Sequence, residues 1–209
     1  MGIIGVLSIL SLVLFKEFAF QNRESIAESF RLPLDGSWIV TREFAEWNWG
    51  VRGYHLGEDV CRDAEDPVYA AANGVVRFAS LAQLGYGYVV IVEHRLPAGD
   101  PFGEYVCTVY GHLRQEGLIT TQSVSEGELI GYLSAKPEYN KGIIHLHFGI
   151  RKGRYIETVI DPRRDGWYYG GSTTIFGGKS SREDPIHMQI LSEWLNPTTD
   201  QVNGEGFIS

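Results

Sequence analysis

Cysteine and methionine are scarce in this sequence, with two residues of each among 209. Two cysteines far apart, Cys61 and Cys107, are too few for a disulfide scaffold or a four-cysteine zinc ribbon. They leave two interpretations, one mutual disulfide or two buried free thiols, and the second is the simpler. Basic residues are also few, with 18 Lys and Arg against 26 Asp and Glu and a net charge of −8. This balance excludes a general nucleic-acid binder, because phosphate neutralisation needs clustered Lys and Arg.

The sequence also lacks an apolar run of about 20 residues, the length that a membrane-spanning helix needs. The apolar run from Ile3 to Phe15 has about 13 residues, which matches the hydrophobic region of a signal peptide. No Lys or Arg precedes it, and the nearest small-x-small cleavage pattern, at residues 25–27, is poor. We expect residues 1–30 to be a signal or membrane-anchor segment and the protein to be exported to the periplasm or cell envelope. The alternative is an N-terminal helix packed on the core.

The composition predicts a folded chain made mainly of short strands. Hydrophobic residues make up 44% and charged residues 21%, so the chain can bury a core. With 25 glycines and 12% aromatic residues, many tight turns and short strands are expected. A length of 209 residues suits one domain with extensions.

Local patterns from Asp35 onwards indicate an antiparallel all-β domain, either a sandwich or barrel-like. Residues 67–78 predict a hairpin that turns at Asn73-Gly74. Residues 87–93 predict a strand whose antiparallel partner is residues 104–110. Residues 143–150 predict a further strand, in which His alternates with apolar residues. We expect no helix between residues 35 and 154.

After Asp161-Pro162 the strand-like patterns end, and glycine-rich stretches that predict loops follow. Asp184-Pro185 has the pattern of a helix N-cap followed by proline at the first helical position. Apolar residues from Met188 to Leu195 then recur at helical spacing, and Pro197 ends the run. We therefore expect residues 166–209 to be a loop-rich extension with one short helix that covers part of the sandwich.

The candidate chemistry lies in three short strings that hold four of the six histidines. His145-x-His147 places both rings on one face of a strand, because side chains at i and i+2 point the same way. Another string holds His112 after Tyr110-Gly111, and the third is His55-x-x-x-Asp59, which a loop running into a strand can bring to one ion. Imidazole and carboxylate suit a borderline ion such as zinc. The remaining histidines predict no site, and His94 is expected at a surface strand end.

These strings resemble the lysostaphin/LytM-type zinc metallopeptidases of bacterial cell walls. The resemblance covers about residues 50–162 and rests on the following strings: His55…Asp59, Ala72-Asn73-Gly74-Val75-Val76, Gly85-Tyr86-Gly87, Tyr110-Gly111-His112-Leu113, Val124–Gly131 and His145-Leu146-His147-Phe148. One departure is the segment 136–142, which stands where the family usually has a glycine-rich turn.

The resemblance implies a fold, a ligand set and a reaction. The fold is an antiparallel two-layer β-sandwich with a groove over one sheet, occupying residues 35–165 as a zinc peptidase domain. One Zn²⁺ is implied, held by His55, Asp59 and His147, with His112 and His145 as the catalytic histidines. The implied reaction is hydrolysis of peptide crosslinks or bridges of peptidoglycan through a zinc-bound water. We also expect the protein to be a monomer. The bond cut, a glycine bridge or a D-amino-acid crosslink, stays open, as does the division of roles between the two histidines.

Two alternatives accompany this hypothesis. Some relatives of the family lack ligands and only bind or activate other wall hydrolases, but all five polar positions are present here. Glu58 is a competing general base; if Asp59 begins a strand, the Glu58 side chain points to the opposite face. The peptidase interpretation with imidazole as the base is therefore preferred.

Overall fold

The computed structural model describes residues 25–82, 86–157, 169, 181–183 and 185–200. The strands and helices of this part of the chain are β1 (Val40–Arg42), β2 (Trp47–Asn48), β3 (Gly53–Tyr54), β4 (Glu58–Cys61), β5 (Pro67–Tyr69), β6 (Gly74–Leu81), β7 (Tyr88–Arg95), β8 (Tyr105–Leu113), β9 (Ser123–Val124), β10 (Leu129–Tyr132), α1 (Pro137–Asn140), β11 (His145–Lys152), α2 (Pro185–Leu191) and β12 (Trp194–Leu195).

An antiparallel main sheet organises the fold, with the strand order β1-β4-β11-β8-β7-β6-β9. Strands β7, β8 and β11 at its centre are continuous runs of buried residues, because both faces of the sheet are covered. The all-β fold class is confirmed, and so is the expected pairing of β7 with β8. One element differs from expectation, since the single helical turn α1 interrupts a region predicted to hold no helix.

The second layer is a two-stranded sheet of β5 and β10, which packs on one face of the main sheet. The expected hairpin at Asn73-Gly74 is wrong, because β5 pairs with β10 whereas β6 pairs with β7 and β9. The chain crosses between layers there, and a Cβ on Gly74 would lie 2.6 Å from Glu93 O. The Asn73-Gly74 segment therefore joins two layers and not two paired strands.

Residues 26–34 complete the same core. Ala27 donates its backbone N–H to Arg95 O at 2.8 Å, and Phe30 packs edge-on against the His94 ring. Packing therefore begins before residue 35, while the apolar run 3–15 and residues 201–209 lie outside the described residues. Among the described helices, none combines the length and apolar character that crossing a membrane requires.

The other face of the main sheet is covered partly by the C-terminal segment. Tyr169, Ile190 and Trp194 form a second core with Leu56 and Val109. The helix α2 forms as expected but ends at residue 191, earlier than its spacing predicted. Residues 194–195 instead pair with β11 at Ile150 and Arg151, just beyond the point where Glu58 of β4 pairs with Phe148. A tertiary contact with an open strand edge thus overrides the helical pattern.

His94 is fully buried, which corrects the expectation of a surface position. Its Nδ1 donates to Asn73 O at 2.8 Å, and its Nε2 accepts from Thr108 Oγ1 at 2.7 Å. Burial lowers the pKa of His94 to about 4, so the ring is neutral in the folded protein near neutral pH.

Candidate metal centre and catalytic histidines

The register of two neighbouring strands brings the predicted site together. Strands β4 and β11 pair so that Asp59 lies opposite His147 and Cys61 lies opposite His145. Side chains at i and i+2 share a face, so these four residues all point to one side of the sheet. The intervening Leu146 and Phe148 point to the opposite side, into the core. The alternation seen in the sequence thus separates the site from the packing.

Three atoms converge at this face of the sheet. His55 Nε2 lies 3.0 Å from Asp59 Oδ1 and 2.9 Å from His147 Nδ1. His147 Nδ1 lies 2.9 Å from Asp59 Oδ1, which closes a triangle. All three residues are buried. The structure therefore groups the three residues that the sequence resemblance assigned to the metal.

The proton count of this triangle favours a bound cation. His55 Nδ1 lies 2.9 Å from Glu43 O, which can only accept, so Nδ1 carries a proton and, in the neutral ring, Nε2 presents a lone pair. The ionised Asp59 carboxylate has only lone pairs. With neutral rings, at most one proton, on His147 Nδ1, is therefore shared among the three close atoms. Two imidazole nitrogens and one carboxylate oxygen are a donor set typical of catalytic zinc. The residues present thus fit zinc.

Two glycines make room for the His147 ring. A Cβ on Gly57 would lie 2.7 Å from His147 Nε2, and a Cβ on Gly111 would lie 2.9 Å from the Tyr86 ring, which itself packs on His147. His147 Nε2 is buried and has no hydrogen-bond partner within the described ranges. The Nδ1 atom of His147 therefore faces His55 and Asp59, while close packing against Gly57 fixes the Nε2 edge of the ring.

The second oxygen of Asp59 faces two further groups. Arg42 Nη1 lies 4.0 Å and His145 Nε2 3.8 Å from Asp59 Oδ2. Burial acts to raise the pKa of Asp59, but the hydrogen bonds and charges of His147 and His55 outweigh it and hold that pKa well below its ordinary value. The carboxylate is therefore ionised, with one oxygen directed at His55 and His147 and the other facing His145.

His112, at the end of β8, stands in an unusual backbone conformation. Its φ is +65°, a left-handed value that costs a non-glycine residue on the order of 1–3 kcal/mol and persists only where neighbours enforce it. Here the backbone N–H of His112 donates to Tyr86 O at 2.8 Å and its carbonyl accepts from Ser134 N at 3.0 Å. Such strain aims the His112 ring towards the site.

His112 and His145 lie side by side, with ring centroids 4.2 Å apart. Each ring is tied at Nδ1 to a backbone carbonyl, His112 to Tyr139 O at 2.5 Å and His145 to Ile143 O at 2.7 Å. Because a carbonyl only accepts, both Nδ1 atoms carry protons, and in the neutral form of each ring Nε2 presents a lone pair. Burial lowers the pKa of His112 to about 3, and that of His147 to about 4.

Glu58 takes no part in this cluster. Its carboxylate accepts hydrogen bonds from Trp38 Nε1 at 2.8 Å and from Thr198 Oγ1 at 2.6 Å. It therefore lies on the face opposite Asp59, as the strand alternation predicted, and it ties the C-terminal segment to β4.

The aromatic residues before His55 divide between packing and exposure. Trp47 is buried against Tyr54 and against His187 of α2, with ring centroids 4.9 and 5.1 Å away. Trp49 is 77% exposed beyond the end of β2. Helix α2 thus packs on the hairpin of β2 and β3 through His187, while the Trp49 side chain projects into solvent.

Sequence reasoning missed the groups that orient the histidines. The carbonyls of Glu43, Tyr139 and Ile143 hold one ring each, and no residue type signals a carbonyl's direction. The centroid of the Tyr86 ring lies 5.0 Å from that of His112 and 5.2 Å from that of His147. In the sequence, Tyr86 belongs to the Gly85-Tyr86-Gly87 motif, which does not signal either contact. The two glycines facing His147 and Tyr86 were the one available signal, since both lie within the histidine strings.

Comparisons with known proteins match the part of the chain that contains the site. The family model described as "Peptidase family M23" matches residues 53–162. A curated protein of Pseudomonas aeruginosa named "Lipoprotein NlpD/LppB homolog" is 28% identical over 131 residues, which is 56% of this chain. The chain thus spans 40% of the length of that relative.

Solved structures of similar architecture include lysostaphin from Staphylococcus simulans, described as an antimicrobial peptidase. It is 18% identical, with a TM-score of 0.49, over 63% of this chain and 50% of that one. A zinc-containing peptidase from Vibrio cholerae is 22% identical, with a TM-score of 0.46, over 59% of this chain and 37% of that one.

Proposed function

The chain belongs to peptidase family M23, and from that premise we propose that it is a zinc metalloendopeptidase that hydrolyses peptide crosslinks or bridges of bacterial peptidoglycan. One observation carries the proposal: His55, Asp59 and His147 converge within 3.0 Å of one another, next to two further histidines whose Nε2 atoms carry lone pairs. A ligand set without those histidines would support metal binding alone.

The chemistry divides between the metal and the side chains around it. Zinc, when bound, polarises a peptide carbonyl and lowers the pKa of a water molecule from about 15.7 towards about 7. His112 and His145 supply Nε2 atoms that take up the proton of the attacking water and deliver one to the leaving amine. Both rings are preorganised for this, because their Nδ1 atoms are already committed to carbonyls.

The place of action follows from the proposed substrate. Peptidoglycan lies in the cell envelope, and the curated relative is named a lipoprotein. We infer an envelope location, reached through the N-terminal segment, with the protein acting as a monomer. A reporter that is active only outside the cytoplasm, fused to residues 1–30, tests the export; a silent reporter would contradict it.

Metal analysis and digestion of purified peptidoglycan test the reaction. We expect about one zinc per chain in the parent and little in His147→Ala, because a ligand is lost. His112→Ala should keep its zinc but release muropeptide fragments at least about 100-fold more slowly, since a positioned acid or base contributes about 10²–10⁴-fold. Mass spectrometry of the fragments identifies the bond that is cut.

A matched variant distinguishes imidazole from carboxylate as the base. Glu58→Gln keeps the shape of the side chain and should stay within about tenfold of the parent rate. An inactive Glu58→Gln beside an active His112→Ala would overturn the assignment of the base. A parent that folds and binds zinc but releases no fragment from any crosslink type would instead indicate a non-catalytic LytM-like binder or activator of wall hydrolases.

A further inference from the structure

One segment of the chain supplies the carbonyls that hold both catalytic histidines. His112 Nδ1 donates to Tyr139 O and His145 Nδ1 donates to Ile143 O, four residues apart in residues 134–144. We call these residues the histidine-holding loop. The two histidines come from different strands, β8 and β11, so within the described residues this loop is the one segment that contacts and orients both rings through its carbonyls.

Asn140 ties this loop together from inside. Its side chain is buried, with Nδ2 donating to Ser134 O at 2.7 Å and Oδ1 accepting from Gly142 N at 2.9 Å. Its backbone carbonyl accepts from Ile143 N at 3.2 Å. Asn140 therefore lies between the two carbonyls, bonded to the start of the loop and to the peptides that lead to Ile143.

The backbone after Asn140 needs this support. Lys141 and Gly142 both adopt left-handed conformations, with φ of +55° and +83°. Lysine rarely adopts such a conformation, and a side-chain amide that bonds to the backbone two residues on is the usual means of stabilising a turn of this kind. Without the Asn140 side chain, the turn and its two flanking carbonyls lose their fixed positions.

We propose that Asn140 is a positioning residue that acts through the Tyr139 and Ile143 carbonyls to fix the Nδ1–H tautomer of His112 and His145. The proposal rests on the proposed function for its kinetic consequence, but the tautomer itself is independent of activity. A neutral imidazole that loses its carbonyl partner has both tautomers available, and the one with the proton on Nε2 cannot accept a proton at that atom.

Long-range ¹⁵N–¹H spectra of ¹⁵N-histidine-labelled, zinc-loaded protein near neutral pH report the tautomers directly. The parent should show His112 and His145 with protons on Nδ1. Asn140→Ala should show a mixture for at least one of these two rings, while zinc content stays at the parent value because no ligand is altered. On crosslinked muropeptides, kcat should fall at least about tenfold with KM within about twofold, as expected when a positioned base is misaligned.

Two further variants keep the test decisive. Glu138→Ala alters an exposed side chain of α1 and should leave spectra and kcat at parent values. Asn140→Asp retains the acceptor for Gly142 N but sets a buried carboxylate oxygen against Ser134 O in place of the donor, so it should disturb the tautomers at least as much as Asn140→Ala and serves in its place if that variant fails to fold. Parent-like tautomers and kcat in both Asn140 variants would overturn the proposal. If the parent itself cleaves no peptidoglycan, the proposed reaction fails while the spectra still decide the role of Asn140.

Discussion

Gly57 offers a direct test of the metal site, because it lies in contact with a ligand without being one. A Cβ at this position would lie 2.5 Å from Phe148 O and 2.7 Å from His147 Nε2. Ordinary van der Waals contact begins at 3.4 Å, so the substitution Gly57→Ala leaves the ring of His147 about 0.7 Å too close, the difference between 2.7 and 3.4 Å. Either β11 or the His147 ring has to move.

That displacement exceeds what the metal tolerates. Zinc–ligand distances hold to within about 0.2 Å, so a ring shifted by several tenths of an ångström loses its bond or weakens it. Overpacking of a close-packed site costs about 1–3 kcal/mol in the free energy of unfolding. We expect Gly57→Ala to lose stability by this amount and zinc affinity by at least about tenfold, as when a group that orients a ligand is altered.

Gly74→Ala is the matched control. Its Cβ would lie 2.6 Å from Glu93 O, 2.6 Å from Val92 Cγ1 and 2.7 Å from His94 Nδ1, so it also clashes with a carbonyl and a histidine ring, but outside the candidate metal group. Urea unfolding should show similar losses for both variants, while competition with a chromophoric chelator should show weakened zinc binding for Gly57→Ala alone. Parent-like zinc affinity in a folded but destabilised Gly57→Ala would refute the placement of His147 in the site.

Further measurements examine other parts of the fold. Native protein should react with one equivalent of a thiol reagent, at the exposed Cys61, and with two after denaturation, because Cys107 is buried with a pKa raised to about 12. Burial lowers the pKa of His94 from 6.5 to about 4, so between about pH 4 and pH 6.5 the unfolded chain binds more protons than the folded one. The free energy of unfolding should therefore be about 2 kcal/mol lower at about pH 5 than at about pH 7. Urea titrations of the parent and of His94→Gln measure this difference. An equal pH dependence in parent and variant would contradict this. Thr198→Val should destabilise the protein by about 1–3 kcal/mol, since the buried Glu58 loses a donor, while zinc content stays at the parent value; a loss of zinc would show that this contact also shapes the site.

The sequence predicted the site better than it predicted the layers around it. The residues His145 and His147 alternate with apolar neighbours, and alternation is a local signal that survives folding. Asp59 joins them because β4 pairs with β11, a pairing that no local pattern required. The resemblance implied that His55, Asp59 and His147 share one ion, without implying how the strands pair. The site residues could therefore be named from short strings, whereas their hydrogen-bond partners could not.

The errors share a physical cause, which is that long-range packing decides what local patterns leave open. His94 ends an apolar strand, and nothing nearby in sequence shows that Phe30 and Asn73 cover it. Trp194 fits a helical pattern, but the unpaired edge of β11 beyond β4 recruits it into a strand. Backbone carbonyls, such as that of Tyr139, carry no sequence signature at all.

The sequence separation of the contacts around β4 decides when the site can form. Asp59 and His147 are 88 positions apart, and the hydrogen bond between Glu58 and Thr198 joins residues 140 positions apart. Contacts of such separation form late and slowly, because the loop they close must be ordered first. A nascent chain carries His55 and Asp59 long before it carries His147, the third residue of the triangle. The three residues therefore come together only after synthesis has passed residue 147, and the Glu58–Thr198 contact on the opposite face of β4 closes later still, after residue 198.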